Sequence, residues 1–495
     1  MLTLSRLPGF KVRISSDDPS ILDNVKKYLT IRYMDQVYQP WRKVNKWVTQ
    51  EVVHTFFWEN KDSTLDITRS MASVLIKWLD STEVPYTYEN QLPFVKIELI
   101  DKWRNIFATH PKPEKGKLQL KAFEALTEEW NGIASLYTGL GKSELLLSAA
   151  ESYMAQHDGN AVIVVYSSKV GEELESRARQ YNVELGGRLR IINPVGFYRS
   201  NFSKTDEAKK WLSEVGLIVA DEAHHFSSLV GKWAQLVYDC DPDYIWGFSA
   251  TSDVADGSEI DINTPTKTKS VQVMSLISFC GVMSINEDLP VPVNIIRVNT
   301  EITSKADYDQ YKIDNPTRMQ FLISLFLTNP KTPRLIKHLI DRFVPKDSLI
   351  FIPELTGIET GEFLANSLNA LGVPTVYFSG SSVITPIGPV DLLTIDDLKG
   401  LARDRHFKVL ISNAVGVEGI DIPNLAAVMP LTGASYKNIM QSAGRSARAD
   451  EFVCIFVWDK HNNQLNRQQT DKYKTVKQRM VVKSNIGVTV DPYLI

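Results

Sequence analysis

The chain has 495 residues, of which 43% are hydrophobic and 23% charged, and its formal net charge is −3. This composition is typical of a soluble globular protein with length for about three domains. The small net charge excludes attraction of nucleic acid by the whole molecule, so any such contact needs a local basic patch.

The first 110 residues predict a small α+β unit. Residues 11–15 alternate like a strand. Asp18 and Pro19 then predict the N-cap and first turn of a helix. Residues 52–58 have strong strand propensity, and the sequence from Ser63 resembles a capping box that begins a second helix. The proline-broken segment 110–117 predicts a linker to the next domain.

A segment between these strands interleaves tryptophans with basic residues. Its candidate nucleic-acid contacts are Trp41, Arg42, Lys43, Lys46 and Trp47. Cationic side chains can bind phosphates while aromatic rings stack on bases, which favours a docking surface for nucleic acid. The alternative is a solvated basic hairpin whose tryptophans pack inward.

A glycine-rich stretch over residues 136–143 lies between a short apolar segment and a helix-like segment. Its candidate ATP-binding residues are Thr138, Gly139, Gly141, Lys142 and Ser143. Backbone N–H groups at a helix N-terminus favour a phosphate, Lys142 supplies a charge for it, and the Ser143 hydroxyl can bind Mg²⁺. A leucine replaces the first glycine of the complete phosphate-loop pattern, so a fortuitous turn is the alternative for this stretch taken alone.

Strand-like runs at residues 161–166, 188–192 and 217–220 alternate with helix-like segments, which predicts a doubly wound α/β domain. Asp221 and Glu222 follow the third run. Ligands of open α/β sheets lie at the carboxyl ends of strands. There Asp221 can hold Mg²⁺ and Glu222 can polarise the water that attacks the γ-phosphate. The alternative is an acidic pair that caps the next helix.

Ser249 and Thr251 end a further predicted strand, where their hydroxyls can sense the nucleotide state. A change of pattern near residues 283–305 begins a second set of strands and helices. We therefore predict doubly wound α/β domains over 111–290 and 291–460, preceded by the small accessory unit over 1–110, with its candidate DNA contacts, and followed by a tail over 461–495. The basic run in this tail favours a solvated surface, with packing against the second predicted domain or contact with DNA as the alternatives.

Two arginines in the second predicted domain stand three residues apart. Arg445 and Arg448 share one helical face, together with Gln441 one turn earlier. Guanidinium groups on such a face can neutralise charge that develops on a γ-phosphate. The alternative is a basic surface helix.

These residues resemble the ordered motif set of superfamily-two helicases and translocases. The similar motifs are Gly-x-Gly-Lys-Ser (139–143), Asp-Glu-Ala-His (221–224), Ser-Ala-Thr (249–251), Gly-Ile-Asp (419–421) and Gln-x-x-Gly-Arg-x-x-Arg (441–448). The resemblance implies two RecA-like domains in tandem, with ATP and Mg²⁺ in the cleft between them and nucleic acid across both. It further implies that Gly419 and Asp421 contact ATP and that His224, with Ser249 and Thr251, couples hydrolysis to movement.

Three further assignments follow from the same resemblance. Gln119 stands where the family reads adenine, although a surface glutamine on a helix is the alternative. Ser167 and Lys169 stand in a loop that contacts single strands, where Tyr166 replaces a frequent proline. Asn413 replaces a common threonine and keeps hydrogen-bonding capacity.

The order of elements in the N-terminal unit resembles that of phage UvsW-type recombination helicases. This implies an ATP-dependent DNA helicase that acts on branched DNA, in Holliday-junction migration, fork regression and D-loop or R-loop unwinding. The alternatives are an RNA helicase, a restriction-type translocase, or a nucleotide-gated scaffold without motor activity. We expect DNA junctions as partner, action as a monomer and no membrane association. The three separated cysteines fit a reducing cytoplasm, which is the host's if a phage encodes the chain.

Overall fold

The computed structural model describes residues 1–39, 46–89, 94–136, 140–226, 228–249, 267–287, 292–314, 322–353, 358–379, 382–390, 393–412, 422–431, 452–491 and 493. The chain divides into two compact units, one formed by Met1–Leu136 with Leu140–Glu287 and the other containing Asp288–Ile495. No helix within the described ranges is long and apolar enough to cross a membrane.

The first unit contains two sheets, a hairpin and the helices that cover them. Its strands are β1 (Leu2–Arg6), β2 (Lys11–Ser16), β3 (Thr30–Gln39), β4 (Lys46–Thr55), β5 (Trp58–Glu59), β6 (Leu65–Thr68), β7 (Tyr86–Glu89), β8 (Asn131–Leu136), β9 (Asn160–Val164), β10 (Leu189–Ile192), β11 (Val215–Ala220), β12 (Tyr244–Ser249) and β13 (Met283–Glu287). Its helices are α1 (Pro19–Tyr28), α2 (Arg69–Ser81), α3 (Asp101–Ala108), α4 (Pro113–Thr127), α5 (Lys142–Gln156), α6 (Ser168–Gln180), α7 (Pro194–Arg199), α8 (Asp206–Ser213), α9 (Lys232–Cys240) and α10 (Lys267–Cys280).

The N-terminal sheet has the strand order β5-β6-β2-β1-β7, with α1 and α2 in the same segment of the chain. The predicted first strand and helix are confirmed. Asp18 is the N-cap of α1, where its carboxylate accepts a hydrogen bond from the backbone N–H of Ser20 at 2.9 Å. That bond satisfies one of the donors that a helix start leaves unpaired.

Two local predictions in this region are wrong. The second helix begins after Thr68 and not near Ser63, because Leu65–Thr68 pairs with β2 as β6 before the helix starts. The predicted linker is also mostly helical, since α4 begins at Pro113. In the first turn of a helix the backbone N–H groups have no partner within the helix, so a proline there removes no hydrogen bond. Pro113, which we interpreted as a break in structure, therefore marks the start of a helix.

Strands β3 and β4 form a separate two-stranded antiparallel sheet. Its register runs from Thr30 opposite Thr55 at one end to Gln39 opposite Lys46 at the end nearer residues 40–45. At the other end of this hairpin, Ile31 is buried in the hydrophobic core of the unit.

The N-terminal sheet shares one hydrophobic core with the second sheet of the first unit. Phe10 donates its backbone N–H to the carboxylate of Asp241 at 3.3 Å, and Arg69 donates to the carbonyl of Asp243 at 2.6 Å. The ring of Phe10 also stacks on Tyr238, with 6.0 Å between ring centroids. The boundary at residue 110 stays a prediction, but residues on both sides of it contribute to the same core.

The second sheet has the order β10-β9-β11-β12-β8-β13, and every neighbouring pair is parallel. Its central strands are almost wholly buried, as the continuous apolar runs predicted. Because all six strands run in one direction, the segments that follow them emerge at the same edge. The predicted doubly wound α/β fold is confirmed for this sheet.

The second unit is built on a nine-stranded sheet of the order β18-β17-β16-β19-β15-β20-β21-β14-β22. Its strands are β14 (Val293–Thr300), β15 (Leu349–Pro353), β16 (Thr375–Phe378), β17 (Val383–Thr385), β18 (Gly388–Pro389), β19 (Val409–Ser412), β20 (Leu425–Val428), β21 (Phe452–Asp459) and β22 (Val482–Thr489). Its helices are α11 (Lys305–Asp314), α12 (Leu322–Leu327), α13 (Thr332–Phe343), α14 (Ile358–Ala370), α15 (Ile395–Arg403) and α16 (Asn463–Arg479).

The C-terminal segment is part of this second sheet. Strand β22 pairs in parallel with β14, and α16 precedes it. The expected solvated surface is wrong for Lys472, which is buried and donates to the carbonyl of Pro430 at 3.3 Å. Burial lowers the pKa of Lys472 to about 7. A count of basic residues cannot distinguish a buried lysine from the exposed Lys474 and Lys477 beside it.

Candidate functional site

The candidate site lies at the carboxyl edge of the parallel sheet in the first unit. Strands β9, β11, β12 and β8 are consecutive in the sheet, and their registers align Val164, Ala220, Ser249 and Leu136 near the same edge. The segments after these strands carry the sequence-predicted residues. Such edges are the usual ligand sites of open α/β sheets.

The described part of the phosphate loop ends in a left-handed glycine. Gly141 has φ +95° and immediately precedes α5, which begins at Lys142. A Cβ at this position would collide with the amide of Gln119 and would lie 2.9 Å from Glu144. Both the backbone conformation and the space therefore require glycine, and Lys142 and Ser143 stand in the first turn of a helix, where the dipole favours an anion.

Gln119 contacts the phosphate loop directly. Its side chain lies on α4, is fully buried, and donates from Nε2 to the carbonyl of Gly141 at 3.3 Å. The alternative of a surface glutamine is therefore wrong. Its other amide atom, Oε1, has no hydrogen-bond partner among the described residues. A buried amide oxygen without a partner is unfavourable, so a ligand that donates to it is expected to bind better. Adenine recognition by Gln119 stays a prediction.

The carboxylate pair is bound to the phosphate-loop lysine. Oε1 of Glu222 lies 3.1 Å from Nζ of Lys142, and the two side chains are only 10% and 12% exposed. Nδ1 of His224 lies 3.3 Å from the other carboxylate oxygen. Asp221 accepts a hydrogen bond from the backbone N–H of Glu222 at 3.1 Å. The fold thus joins two motifs that stand 80 positions apart.

The two carboxylates differ in their pKa values. Burial alone would raise the pKa of Glu222, but the charge of Lys142 and the contact with His224 outweigh it and hold that pKa well below its usual range. Burial raises the pKa of Asp221 to about 6, with the charge of Glu222 acting in the same direction and Lys142 opposing it. At neutral pH both groups are therefore largely ionised, and a cation next to Asp221 would lower its pKa again.

Glu222 also adopts an uncommon backbone conformation, with φ +53°. Non-glycine residues in this left-handed region cost energy and cluster at functional sites. The turn directs the chain from β11 into the short 3₁₀ helix Ala223–Phe226. The alternative in which the acidic pair only caps a helix does not explain the ion pair with Lys142.

A glycine in the next strand makes room for this turn. A Cβ added to Gly247 in β12 would lie 2.6 Å from the Cβ of Ala223 and 3.3 Å from the sulfur of Cys280. Both neighbours are buried, so neither can move freely. Gly247 therefore permits close approach of β12 to the segment that carries Glu222.

Replacing Gly247 with alanine is expected to destabilise the protein by about 1–3 kcal/mol, because it overpacks a buried site. The added methyl group would also displace Ala223, which follows Glu222 in the chain, and is therefore expected to lower ATP turnover. Urea unfolding and steady-state ATPase rates measure the two effects. Gly187→Ala is the matched control, since its Cβ would have no atom within 4 Å. Equal stability of the two variants would contradict the close-packing argument.

Ser249 and the predicted single-strand loop lie at the same sheet edge. Ser249 is buried at the end of β12, opposite Ser135 of β8. Ser167 is the N-cap of α6, and its hydroxyl accepts a hydrogen bond from the backbone N–H of Val170 at 3.3 Å. Lys169 is exposed in the first turn of that helix. A nucleic-acid phosphate bound there would lie next to the N-terminus of α6 and the exposed ammonium group of Lys169.

Several predicted site residues lie outside the described residues, and their assignments stay predictions. They are Trp41, Arg42, Lys43, Thr138, Gly139, Thr251, Asn413, Gly419, Asp421, Gln441, Arg445 and Arg448. Lys46 and Trp47 belong to β4, but their side chains are not described.

Two residues that the sequence analysis did not select also belong to this edge. His225 follows the predicted Asp-Glu-Ala-His motif and stacks on Tyr166 after β9, with ring centroids 4.2 Å apart. Asn193 donates from its amide to the carbonyl of Tyr166. The second histidine after the motif was a visible signal, but its partner could not be identified from local sequence.

The donors at this edge suit a magnesium ion that a nucleotide brings with it. Within the described ranges, no three His, Cys, Asp or Glu side chains group as metal ligands. Mg²⁺ in nucleotide sites takes one or two carboxylates and completes its shell with phosphate and water oxygens. The half-buried carboxylate of Asp221 and the hydroxyl of Ser143 are ligands of this kind.

Known proteins share this sequence pattern and fold. Residues 95–254 match the family described as the res subunit of type III restriction enzymes. A curated relative, putative helicase 22 of Sulfolobus islandicus filamentous virus, is 24% identical over 77% of this chain and 74% of its own.

Two solved structures resemble the whole or most of the chain. Mss116p bound to single-stranded RNA and AMP-PNP has a TM-score of 0.50 and 16% identity, with 81% of each chain covered. UvsW of bacteriophage T4 has a TM-score of 0.42 and 14% identity over 99% of both chains. The likeness to Mss116p shows a fold of tandem RecA-like domains.

Proposed function

We propose that this chain, which is a superfamily-two helicase and hydrolyses ATP, acts as a DNA translocase on branched DNA. Its substrates would be Holliday junctions, regressed forks, D-loops and R-loops in recombination, repair or replication. The observation that supports a motor most strongly is the ion pair between Lys142, the first residue of α5, and Glu222, the neighbour of Asp221. An RNA helicase and a restriction-type translocase remain the alternatives within this superfamily.

The paired side chains fit successive roles in phosphoryl transfer. Lys142 would exchange Glu222 for the β- and γ-phosphates when ATP binds, because both partners are anionic. Glu222, released but still ionised, would orient and deprotonate the attacking water. Ser143 and Asp221 would hold Mg²⁺, which when bound supplies charge neutralisation on the phosphate oxygens. A scaffold without motor activity would have no use for a general base held ionised next to the phosphate loop.

The same resemblance assigns the remaining catalytic roles to residues of the second unit. Gln441 would position the attacking water, and Arg445 and Arg448 would stabilise charge on the γ-phosphate. In the first unit, Ser249 and His224 would relay the nucleotide state, since both belong to segments at the carboxyl edge next to Glu222.

The choice of branched DNA rests on the N-terminal hairpin. Ten residue pairs join β3 and β4, and the candidate tryptophans and basic residues occupy positions 41–47, which include the first two residues of β4. A two-stranded sheet is marginally stable at best by itself, so we infer a binding role rather than a structural one for this hairpin. Stacking of Trp41 and Trp47 on bases that a junction exposes is one such function.

Four-way-junction DNA is expected to stimulate ATP turnover about fivefold or more, and more strongly than single-stranded DNA or RNA. Binding of the preferred structure would stabilise the hydrolysing state, which raises kcat. Steady-state ATPase assays with each nucleic acid measure this effect. Strongest stimulation by RNA would overturn the DNA proposal in favour of an RNA helicase.

A Trp41→Ala/Trp47→Ala variant tests the hairpin, with the affinity for four-way-junction DNA and the DNA-free ATP turnover as the two measurements. Deletion of the N-terminal residues is a poor test, because the N-terminal sheet shares its core with the second sheet. Loss of two stacking rings is expected to weaken junction binding more than it lowers DNA-free turnover. An unchanged affinity for the junction would remove the docking role.

A further inference from the structure

Two loops of the first unit lie side by side at the carboxyl edge of the sheet. Strand β9 leads to Tyr166 and the predicted single-strand loop, and β11 leads to the carboxylate pair. The backbone N–H of Asp221 donates to the carbonyl of Val164 at 2.9 Å, so the two loops separate from strands that are still paired. One loop faces the predicted nucleic acid and the other carries the predicted general base.

Aromatic rings connect these two loops. The ring of Tyr166 lies parallel to that of His225, with 4.2 Å between centroids and 7° between planes. The ring of His225 also stacks on that of Trp233 in α9, with 5.2 Å between centroids and 30° between planes. His225 therefore contacts aromatic rings from two different elements. A flat stack of this kind changes by discrete shifts rather than by gradual stretching.

A series of contacts connects His225 to the carboxylate of Glu222, the predicted general base. His225 is adjacent to His224, and their ring centroids lie 4.4 Å apart. His224 in turn lies 3.3 Å from the Oε2 atom of Glu222, which binds Lys142 through its other oxygen. A displacement of Tyr166 can therefore reach the general base through two intervening side chains.

The position of Tyr166 also depends on the loop that would contact nucleic acid. Its carbonyl accepts a hydrogen bond from Asn193, whose side-chain oxygen accepts one from the N–H of Gly196 at 2.7 Å in α7. The next residue, Ser167, caps α6. A phosphate bound at the start of α6 would act on the segment that holds the ring of Tyr166.

We propose that the stack of Tyr166 and His225 couples nucleic-acid binding to ATP hydrolysis. Nucleic acid at Ser167 and Lys169 orders Tyr166, the stack orients His225 and His224, and His224 holds Glu222 in its hydrolysing position. His225 is a positioning residue in this scheme, because it acts through His224 and does not touch the nucleotide. The inference rests on the proposed nucleic-acid-stimulated ATPase.

The test compares His225→Leu with His225→Phe in the full-length protein. We expect His225→Leu to lower DNA-stimulated kcat about 2- to 10-fold, the range for loss of one aromatic pair. DNA-free kcat, the KM for ATP and the affinity for four-way-junction DNA are expected to stay at wild-type values. Phenylalanine keeps a flat ring and is expected to restore stimulation. His225 is half-buried, so either replacement leaves the hydrophobic core closed.

A double-mutant cycle with Tyr166→Leu separates coupling from general damage. If the stack is the connection, the double variant loses no more stimulation than His225→Leu alone. Wild-type stimulation in His225→Leu, or losses that simply add, would overturn the inference while leaving the proposed function intact. A wild-type protein that no nucleic acid stimulates would instead overturn the proposed function, and this inference with it.

Discussion

Glu222→Gln is expected to lower kcat for ATP hydrolysis about 10²- to 10⁴-fold, the contribution of a positioned general base. Glutamine has nearly the shape of glutamate but cannot take a proton from water. Its amide oxygen can still accept from Lys142, so the phosphate loop keeps its conformation. Steady-state turnover with and without DNA measures the loss.

Nucleotide binding by Glu222→Gln is expected to be unchanged or tighter. The variant removes the anion that competes with phosphate for Lys142, as the 3.1 Å ion pair shows. Titration with a fluorescent ATP analogue measures the affinity. Wild-type turnover in this variant would sink the assignment of Glu222 as general base.

Glu151→Gln is the matched control for the loss of an ion pair. Glu151 lies on the same helix as Lys142 and pairs with Lys102 at 2.8 Å, away from the phosphate end. Its replacement is expected to leave kcat near the wild-type value. A loss comparable to that of Glu222→Gln would show that any broken ion pair on α5 inactivates the protein.

Lys142→Met is expected to weaken ATP binding about 10- to 150-fold, since a charged hydrogen bond to phosphate contributes about 1.5–3 kcal/mol. It also leaves the buried carboxylate of Glu222 without its cation. Breaking such a pair costs up to about 3–5 kcal/mol, and His224, 3.3 Å away, is expected to reduce this loss. Nucleotide titration and urea unfolding measure the two effects.

The stability loss in Lys142→Met is expected to depend on pH. Lys142 holds the pKa of Glu222 in the folded protein below its unfolded value of about 4.3. A lowered carboxyl pKa stabilises the fold above the unfolded pKa, and this contribution is lost as pH falls through the folded pKa. The difference between wild type and Lys142→Met should therefore be largest above pH ~4.3 and shrink in acid.

Two variants control this result. Lys102→Met breaks the more exposed pair with Glu151 and is expected to cost less than about 1 kcal/mol without changing ATP affinity. A Lys142→Met/Glu222→Gln double variant removes both charges and is expected to recover part of the lost stability. A pH-independent loss in Lys142→Met would contradict the electrostatic explanation.

Local sequence patterns were sufficient to predict the fold class and to select the candidate nucleotide-binding segments. Apolar runs such as residues 161–164 predict strands buried on both faces, and Gly141 with Lys142 predicts a phosphate turn before a helix. These features are local, because strand propensity, turn conformation and helix capping depend on residues within a few positions of each other.

Local sequence patterns gave wrong predictions where pairing or packing with a distant segment favours a different structure. The sequence after Ser63 satisfies a helix-start pattern, yet Leu65–Thr68 becomes a strand because β2 pairs with it. Pro113 reads as a break and instead begins the helix that buries Gln119. In both cases tertiary packing supplies free energy that a local pattern does not contain.

The contacts among the predicted residues follow from the packing of the whole sheet. Lys142 reaches Glu222 across 80 positions, and the ring of Tyr166 meets that of His225 because β9 and β11 are neighbours in the sheet. Strand order is set by the burial of whole sheet faces and by the crossover connections, which involve the entire domain. The sequence therefore identified the chemical groups of the site, whereas the order of strands determined their contacts.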